Sequence, residues 1–244
     1  MILVASDFDG TLAHKGWPTE ENKQAVAAFR RRGGRFGVVS GRHYSIACDL
    51  PSVIGGIDFM ICCTGALILD GDGKVLSHKV APVDGTVREV VMAAKTFGAK
   101  GFGIGCLQEY VTLDLTKEDP LADCPLTEYD HNNCIFYRDE DAAAFITYLK
   151  DKQGEAFNGY QNGWNVDMPP VGCSKVDAIR AYLEGFADAT LYTVGDNHND
   201  IPMLKAFPSY AVESGVPEAK SAADRVCQSV AEMLEELLPG TALQ

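Results

Sequence analysis

The chain opens Met1-Ile2-Leu3-Val4-Ala5-Ser6-Asp7-Phe8-Asp9-Gly10-Thr11-Leu12, and the reading of this stretch decides the fold. A short apolar run stops abruptly at two carboxylates two residues apart, followed by Gly-Thr. Such a run reads as a buried central strand, and open α/β sheets keep their sites beyond the carboxyl ends of their strands. Residues two apart in an extended chain point the same way, so Asp7 and Asp9 are placed to share one site. Paired carboxylates repel unless a cation or a proton lies between them. That favours a hard divalent cation, with one carboxylate free to attack and the other to carry a proton. The ordinary alternative is a turn, in which Asp and Gly are both common.

A second acid-tipped run lies far down the chain. Ala189-Thr190-Leu191-Tyr192-Thr193-Val194 leads into Gly195-Asp196-Asn197-His198-Asn199-Asp200-Ile201-Pro202-Met203. Two such runs, with helical segments between them, read as parallel neighbours delivering acids to one sheet edge. Between them, Arg35-Phe36-Gly37-Val38-Val39 runs into Ser40-Gly41-Arg42, where a hydroxyl and a glycine-flanked backbone suit a phosphate oxygen. Ser174-Lys175 precedes the amphipathic pattern Val176–Leu183. Ser174 is a plausible N-cap. Lys175 opposes the helix dipole in the first turn, which reads as a solvated surface lysine unless an anion is bound there.

In this order the four motifs, Asp-Phe-Asp-Gly-Thr, the strand ending Ser-Gly-Arg, the Ser-Lys helix start and Gly-Asp-x-x-Asn-Asp-x-x-Met, resemble those of the haloacid dehalogenase superfamily. The resemblance is closest to the Cof-type sugar-phosphate phosphatases, and it covers essentially the whole chain. Two departures stand out. The third strand leads into Cys62-Cys63-Thr64-Gly65-Ala66 where relatives usually carry Asn-Gly-Ala, and Thr64 can still donate and accept. After the fourth motif the chain has Glu213-Ser214 where relatives often have Asn-Ala.

The resemblance implies an α/β fold, a Rossmann-like parallel-sheet core formed by residues 1–80 and 169–244, with a C2B-type α+β cap domain, residues 81–168, inserted between the second and third motifs. It implies Mg²⁺ held by Asp7, Asp196 and the backbone carbonyl of Asp9, with Asp200 behind them orienting a metal-bound water. Asp7 would be the nucleophile and Asp9 the acid and then the base. Ser40, Gly41, Lys175 and Asn199 would hold the phosphate, and Thr11 would steady the turn after the acids. His198 reads as a bystander, and Arg42 is open between a surface ion pair and a substrate contact. The implied partner is a small-molecule phosphate ester. A phosphomutase of the same superfamily and a non-catalytic phosphate-binding protein are the alternatives. A signalling receiver has no use for Asp9 or for an insert.

Composition agrees with a compact enzyme. The 244 residues are 46% hydrophobic, with a net charge of −13. That charge argues against nucleic-acid binding, which needs a basic face. No apolar stretch has membrane-spanning length, and no basic region precedes the first apolar run, so neither a membrane segment nor a signal peptide is expected and the expected compartment is the cytoplasm. The eight cysteines are scattered without Cys-x-x-Cys, which argues against a disulfide framework or structural zinc.

Local signals predict a helix from Thr19 as cap to about Arg32, a helix from about His43 to Leu50, a strand over Asp58–Cys63 and a hairpin around Asp70-Gly71-Asp72-Gly73. From Ala81 the texture changes. Helix Asp84–Phe97 and strands Gly101–Gly105 and Tyr110–Leu115 come first. Strand Asn133–Tyr137, helix Glu140–Lys152 and the pair Ala156–Tyr160 and Trp164–Asp167 follow, as in an open antiparallel sheet with helices on one face. Its candidates for facing the site are His131, Asn132, Arg138, Trp164 and Asn165.

Overall fold

The computed structural model describes residues 1–153 and 158–237. In chain order its strands are β1 (Ile2–Ser6), β2 (Arg35–Val39), β3 (Phe59–Cys62), β4 (Leu67–Asp70), β5 (Val75–His78), β6 (Gly101–Cys106), β7 (Glu109–Leu113), β8 (His131–Ile135), β9 (Tyr160–Asn162), β10 (Asn165–Met168), β11 (Thr190–Gly195), β12 (Ser209–Val212) and β13 (Arg225–Cys227). Two-residue ladders join Ala13–His14 to Trp17–Pro18 and Ala81–Pro82 to Glu128–Tyr129.

An eight-stranded sheet has the order β13-β12-β11-β1-β2-β3-β4-β5. It is parallel from β13 to β3, and β4 and β5 add antiparallel at one edge. Side chains alternate along β1. Val4 packs with Val26 and Phe29 of helix Glu20–Arg31 and with Met233 of helix Val230–Leu237. Leu3 and Ala5 pack with Ala178, Ile179 and Met203 on the other face. Helices on both faces explain why β1 is a continuous apolar run rather than an alternating one.

The strands between Ala81 and Met168 pair only with one another among the described residues. Five of them form the antiparallel order β7-β6-β8-β10-β9. Phe102, Ile104, Cys134, Val166 and Met168 face helices Gly85–Thr96 and Asp139–Gln153 in one apolar cluster. The opposite face of this smaller sheet turns toward the carboxyl ends of β1 and β2.

Caps follow the local chemistry. Thr19, Asp84 and Ser174 each accept a backbone N–H from the first turn of the helix they precede. The expected helix His43–Leu50 is instead two short ones, Tyr44–Ala47 and Leu50–Ile54. Pro51 stands in the first turn of the second, where its fixed φ and missing N–H cost nothing. The expected strand Asn133–Tyr137 lies two residues earlier, as β8. Of the expected strand Ala156–Tyr160, residues 156 and 157 fall outside the described residues, and β9 begins at Tyr160.

Candidate functional site

Four strand ends and one helix start meet at one place. Asp7 leaves β1 with its N–H bonded to the Val194 carbonyl of β11 (2.9 Å). Asp196 follows the last residue of β11, and Ser40 follows β2, with its N–H on the Ile61 carbonyl (2.8 Å). Alternation does the rest: Phe8 is buried in the core, while Asp7 and Asp9 stand on the other side.

Lys175 is 3% exposed and not solvated. Its Nζ donates to Asp7 Oδ1 (2.6 Å) and to Asp200 Oδ1 (2.7 Å). Burial works against the ammonium charge, but Asp200 and Asp7 outweigh it and hold Lys175 above its ordinary value. One ammonium faces three acids. Burial raises Asp7 well above the usual carboxylate range, and the neighbouring Asp200 adds to the rise against the pull of Lys175. Burial, then Asp200, pushes Asp196 up to about 6. Oxygens of Asp7, Asp196 and Asp200 come within 4.8 Å of one another, an all-carboxylate donor set that suits a hard divalent cation.

The bonds divide these three acids. Asp200 is fully engaged: Oδ1 takes Lys175, and Oδ2 accepts the N–H groups of Asp196 (3.1 Å) and Asn197 (3.2 Å). Asp196 Oδ1 accepts from Thr11 Oγ1 (2.9 Å). Gly10, directly after Asp9, has φ +89°, and a Cβ there would lie 2.2 Å from Asp196 Oδ2. A side chain at position 10 would therefore displace the Asp196 carboxylate.

Arg42 makes an ion pair with Asp9 and also lines the cavity over these groups. It grips Asp9 by a two-pronged fork, Nε to Oδ2 (2.7 Å) and Nη2 to Oδ1 (2.6 Å), with its guanidinium over the Phe8 ring. Ser40 Oγ accepts the Arg42 N–H (3.1 Å). His198 is exposed and lies 3.7 Å from Glu218. Thr64 Oγ1 is buried without a hydrogen-bond partner, so its donor and acceptor capacity is unused here. In the Glu213-Ser214 loop, Glu213 turns to Lys220 (3.3 Å), and the loop meets the site through its backbone, Val216 N–H to Asp196 O (2.8 Å).

A cavity of about 370 Å³ lies over these groups. Asp7, Asp9, Ser40, Gly41, Arg42 and Asn199 line one side. Tyr110, His131, Asn133, Asn162, Asn165 and Asp167 line the other, from the open face of the smaller sheet. Asn197 Nδ2 donates across the gap to Asn162 Oδ1 (2.8 Å). Gly41 admits the approach of the insert, since a Cβ there would lie 2.5 Å from Asp167 Oδ2. Burial, with Asp9 adding and Lys175 opposing, pushes Asp167 up to about 7.

Of the five residues expected to face the site, His131 and Asn165 do. Asn132 occupies the intervening position of β8, opposite Ile104 and Met168. Arg138 pairs with Asp141 at the surface (2.6 Å), and Trp164 is exposed. Tyr110, Asn133, Asn162 and Asp167 were not anticipated. The signal was present in the polar-apolar alternation of Asn165-Val166-Asp167-Met168, which marks one wet and one packed face.

A parallel sheet flanked by helices, with acids at its strand ends and an antiparallel insert facing them, defines an α/β protein with a carboxylate cluster at the carboxyl edge of its sheet. The chain belongs to the haloacid dehalogenase-like hydrolases, whose family model matches residues 4–233. A Buchnera aphidicola protein (subspecies Baizongia pistaciae) provisionally named a phosphatase is 33% identical over 75 residues, 30% of this chain and 28% of that protein's length. The chain thus spans under a third of that relative in the match. A haloacid dehalogenase-like hydrolase from B. subtilis is similar in structure, with TM-score 0.82 and 19% identity over 98% of this chain and 100% of that one. A phosphatase of the same superfamily from Bacteroides thetaiotaomicron has TM-score 0.75 and 20% identity over 97% and 94%. These likenesses bear out the family and the α/β fold read from the motifs. Among the described residues no helix is long and apolar enough to cross a membrane.

Proposed function

We propose that this chain is a Mg²⁺-dependent phosphomonoesterase acting on small phosphorylated metabolites, sugar phosphates foremost, through an aspartyl phosphate on Asp7. The observation that carries the reading is the placement of Lys175 between Asp7 and Asp200 at the strand ends, with Asp9 two residues on. Lys175 occupies one oxygen of Asp7 and leaves the other for attack on phosphorus. The bond from phosphorus to the ester oxygen breaks as Asp9 protonates that oxygen. Asp9 then takes a proton from water, which attacks the acyl phosphate, frees inorganic phosphate and restores Asp7. Lys175, Ser40, the Gly41 backbone and Asn199 border the space where phosphate oxygens would lie. Asp7, Asp196 and the Asp9 carbonyl would hold the cation, with Asp200, saturated by its own bonds, orienting from behind. Bound Mg²⁺ supplies charge neutralisation to a dianionic ester.

Two features support a small substrate. The cavity suits a metabolite rather than a macromolecule. The insert, read as a cap domain over residues 81–168, presents amide, phenol and carboxylate groups matched to hydroxyls. The test is phosphate release from a panel of phosphate esters with Mg²⁺, with chelator and with Ca²⁺, on the intact chain and Asp7→Asn. Release from sugar phosphates only with Mg²⁺, abolished in Asp7→Asn, is expected. Exchange between glucose 1-phosphate and glucose 6-phosphate without release would favour a mutase, and full activity in chelator would remove the metal.

A further inference from the structure

A second cluster of ligand-type side chains lies beside the acidic site, where the loops after β2 and β3 meet the insert. Asp130 is fully buried and, among the described residues, has no lysine or arginine ion-pair partner. Its Oδ2 is fixed twice, by the Leu107 N–H (2.8 Å) and by His78 Nε2 (2.9 Å). Its Oδ1 has no hydrogen-bond partner, and neither does His43 Nε2, although both are buried and lie 3.6 Å apart. That gap is too long for a hydrogen bond. It is close to the roughly 3.4 Å that separates two ligands on one tetrahedral zinc with bonds of about 2.0–2.1 Å. Cys63 supplies the third atom: the ligand atoms of His43, Cys63 and Asp130 all lie within 4.8 Å of one another. The Cys63 thiol is buried and not in a disulfide.

The other ring nitrogen of His43 has a partner. Nδ1 lies 2.9 Å from Ser45 Oγ and accepts the Ser45 N–H at a longer 3.3 Å. A cation on Nε2 would put the ring proton on Nδ1, which would then donate to Ser45 Oγ and give up the longer bond. Metal-binding histidines are held this way, by a bond from the nitrogen that does not touch the metal. His78 steadies Asp130 in the same sense. A nitrogen, a sulfur and an oxygen around one point select a borderline cation such as Zn²⁺ rather than Mg²⁺.

We propose that His43, Cys63 and Asp130 form a Zn²⁺-binding site separate from the acidic cluster, and that its occupancy clamps the insert to the large sheet. Binding displaces the Cys63 thiol proton to solvent and forms the sulfur–metal bond. His43 and Cys63 belong to the loops that follow β2 and β3, and Asp130 immediately precedes β8, so the ion would bridge the two sheets. His43 also follows Arg42, which holds Asp9, so the clamp would reach the catalytic cleft. No zinc spacing shows in the sequence because the three residues come from three distant segments.

The test uses the full chain, stripped of metal and kept in excess Mg²⁺ so that the oxygen-only cluster is satisfied. Titration with Co²⁺ is expected to bind one equivalent with a thiolate-to-cobalt charge-transfer band. X-ray absorption at the cobalt edge of the unmutated protein is expected to show a sulfur neighbour. Cys63→Ser and Asp130→Asn should lose the band, and Cys106→Ser, in the neighbouring His78-Cys106-Asp130 group, should keep it. Zn²⁺ should raise the melting temperature of the unmutated chain and of Cys106→Ser only. A cobalt edge with oxygen and nitrogen neighbours alone, or a band that survives Cys63→Ser and vanishes in Cys106→Ser, overturns the proposal. The edge spectrum needs no variant, so a substitution that fails to fold leaves the answer intact.

Discussion

Arg42 holds Asp9 by both carboxylate oxygens, at 2.7 and 2.6 Å, across 33 residues of sequence. The fork fixes the orientation of the group proposed to give and take the proton, and it keeps that group apart from Asp7. A planar guanidinium can do this, and a point charge cannot. For Asp9 to act as acid, Arg42 has to yield part of its grip when an ester enters.

Arg42→Lys is therefore expected to lower turnover of sugar phosphates by roughly 10-fold to 100-fold through misplacement of Asp9, with the fold unchanged. The deficit should narrow with p-nitrophenyl phosphate, whose leaving group needs no proton. Steady-state kinetics on both substrates checks this, and equal deficits would contradict the assignment of Asp9 as acid.

Lys175→Met removes the ammonium from between Asp7 and Asp200. Breaking a buried pair from one side leaves uncompensated charge and costs about 3–5 kcal/mol. Denaturant unfolding without metal should show that loss. Added Mg²⁺ should restore part of it, because a cation at the cluster replaces some of the missing charge, while activity should stay absent. A variant as stable as the parent in chelator would mean that the acids are not charged together.

Gly10→Ala meets both a positive φ and Asp196 Oδ2 at 2.2 Å. Displacement of that carboxylate should raise the Mg²⁺ concentration for half-activation by roughly 10-fold to 100-fold. Mg²⁺ titration of activity measures the shift, and an unchanged midpoint would take Asp196 out of the cation's reach.

Asp167 carries a raised carboxyl, about 7 in the fold against about 3.9 in an unfolded chain. The folded state therefore holds the proton longer than the unfolded one. Its contribution to stability is complete below about pH 4 and is lost as pH rises through about 7. Relative to Asp167→Asn, the parent should lose stability steadily across that window. Asp196 shifts in the same direction in both proteins and cancels in the difference. Melting curves from pH 4 to 8 decide it, and a flat difference would show that Asp167 is ionised throughout.

Signals confined to a few residues were legible in the chain itself. The apolar run that stops at Asp7, its counterpart before Asp196, and the caps Thr19 and Ser174 all depend on neighbours within about one helical turn or on strand alternation. Four motifs in order sufficed for the family and the α/β fold. The tertiary structure alone decided which charges meet. The burial of Lys175 between Asp7 and Asp200, the Arg42 fork on Asp9, the choice of Asn133 and Asp167 over Asn132 and Trp164, and the meeting of His43 with Cys63 and Asp130 all join distant segments. Local propensity reports backbone conformation and which face of an element is apolar. It cannot report which faces are then brought together, because that depends on strand order, register and the path of the insert. A one-residue change of register along β8 would exchange Asn133 for Asn132 in the cavity.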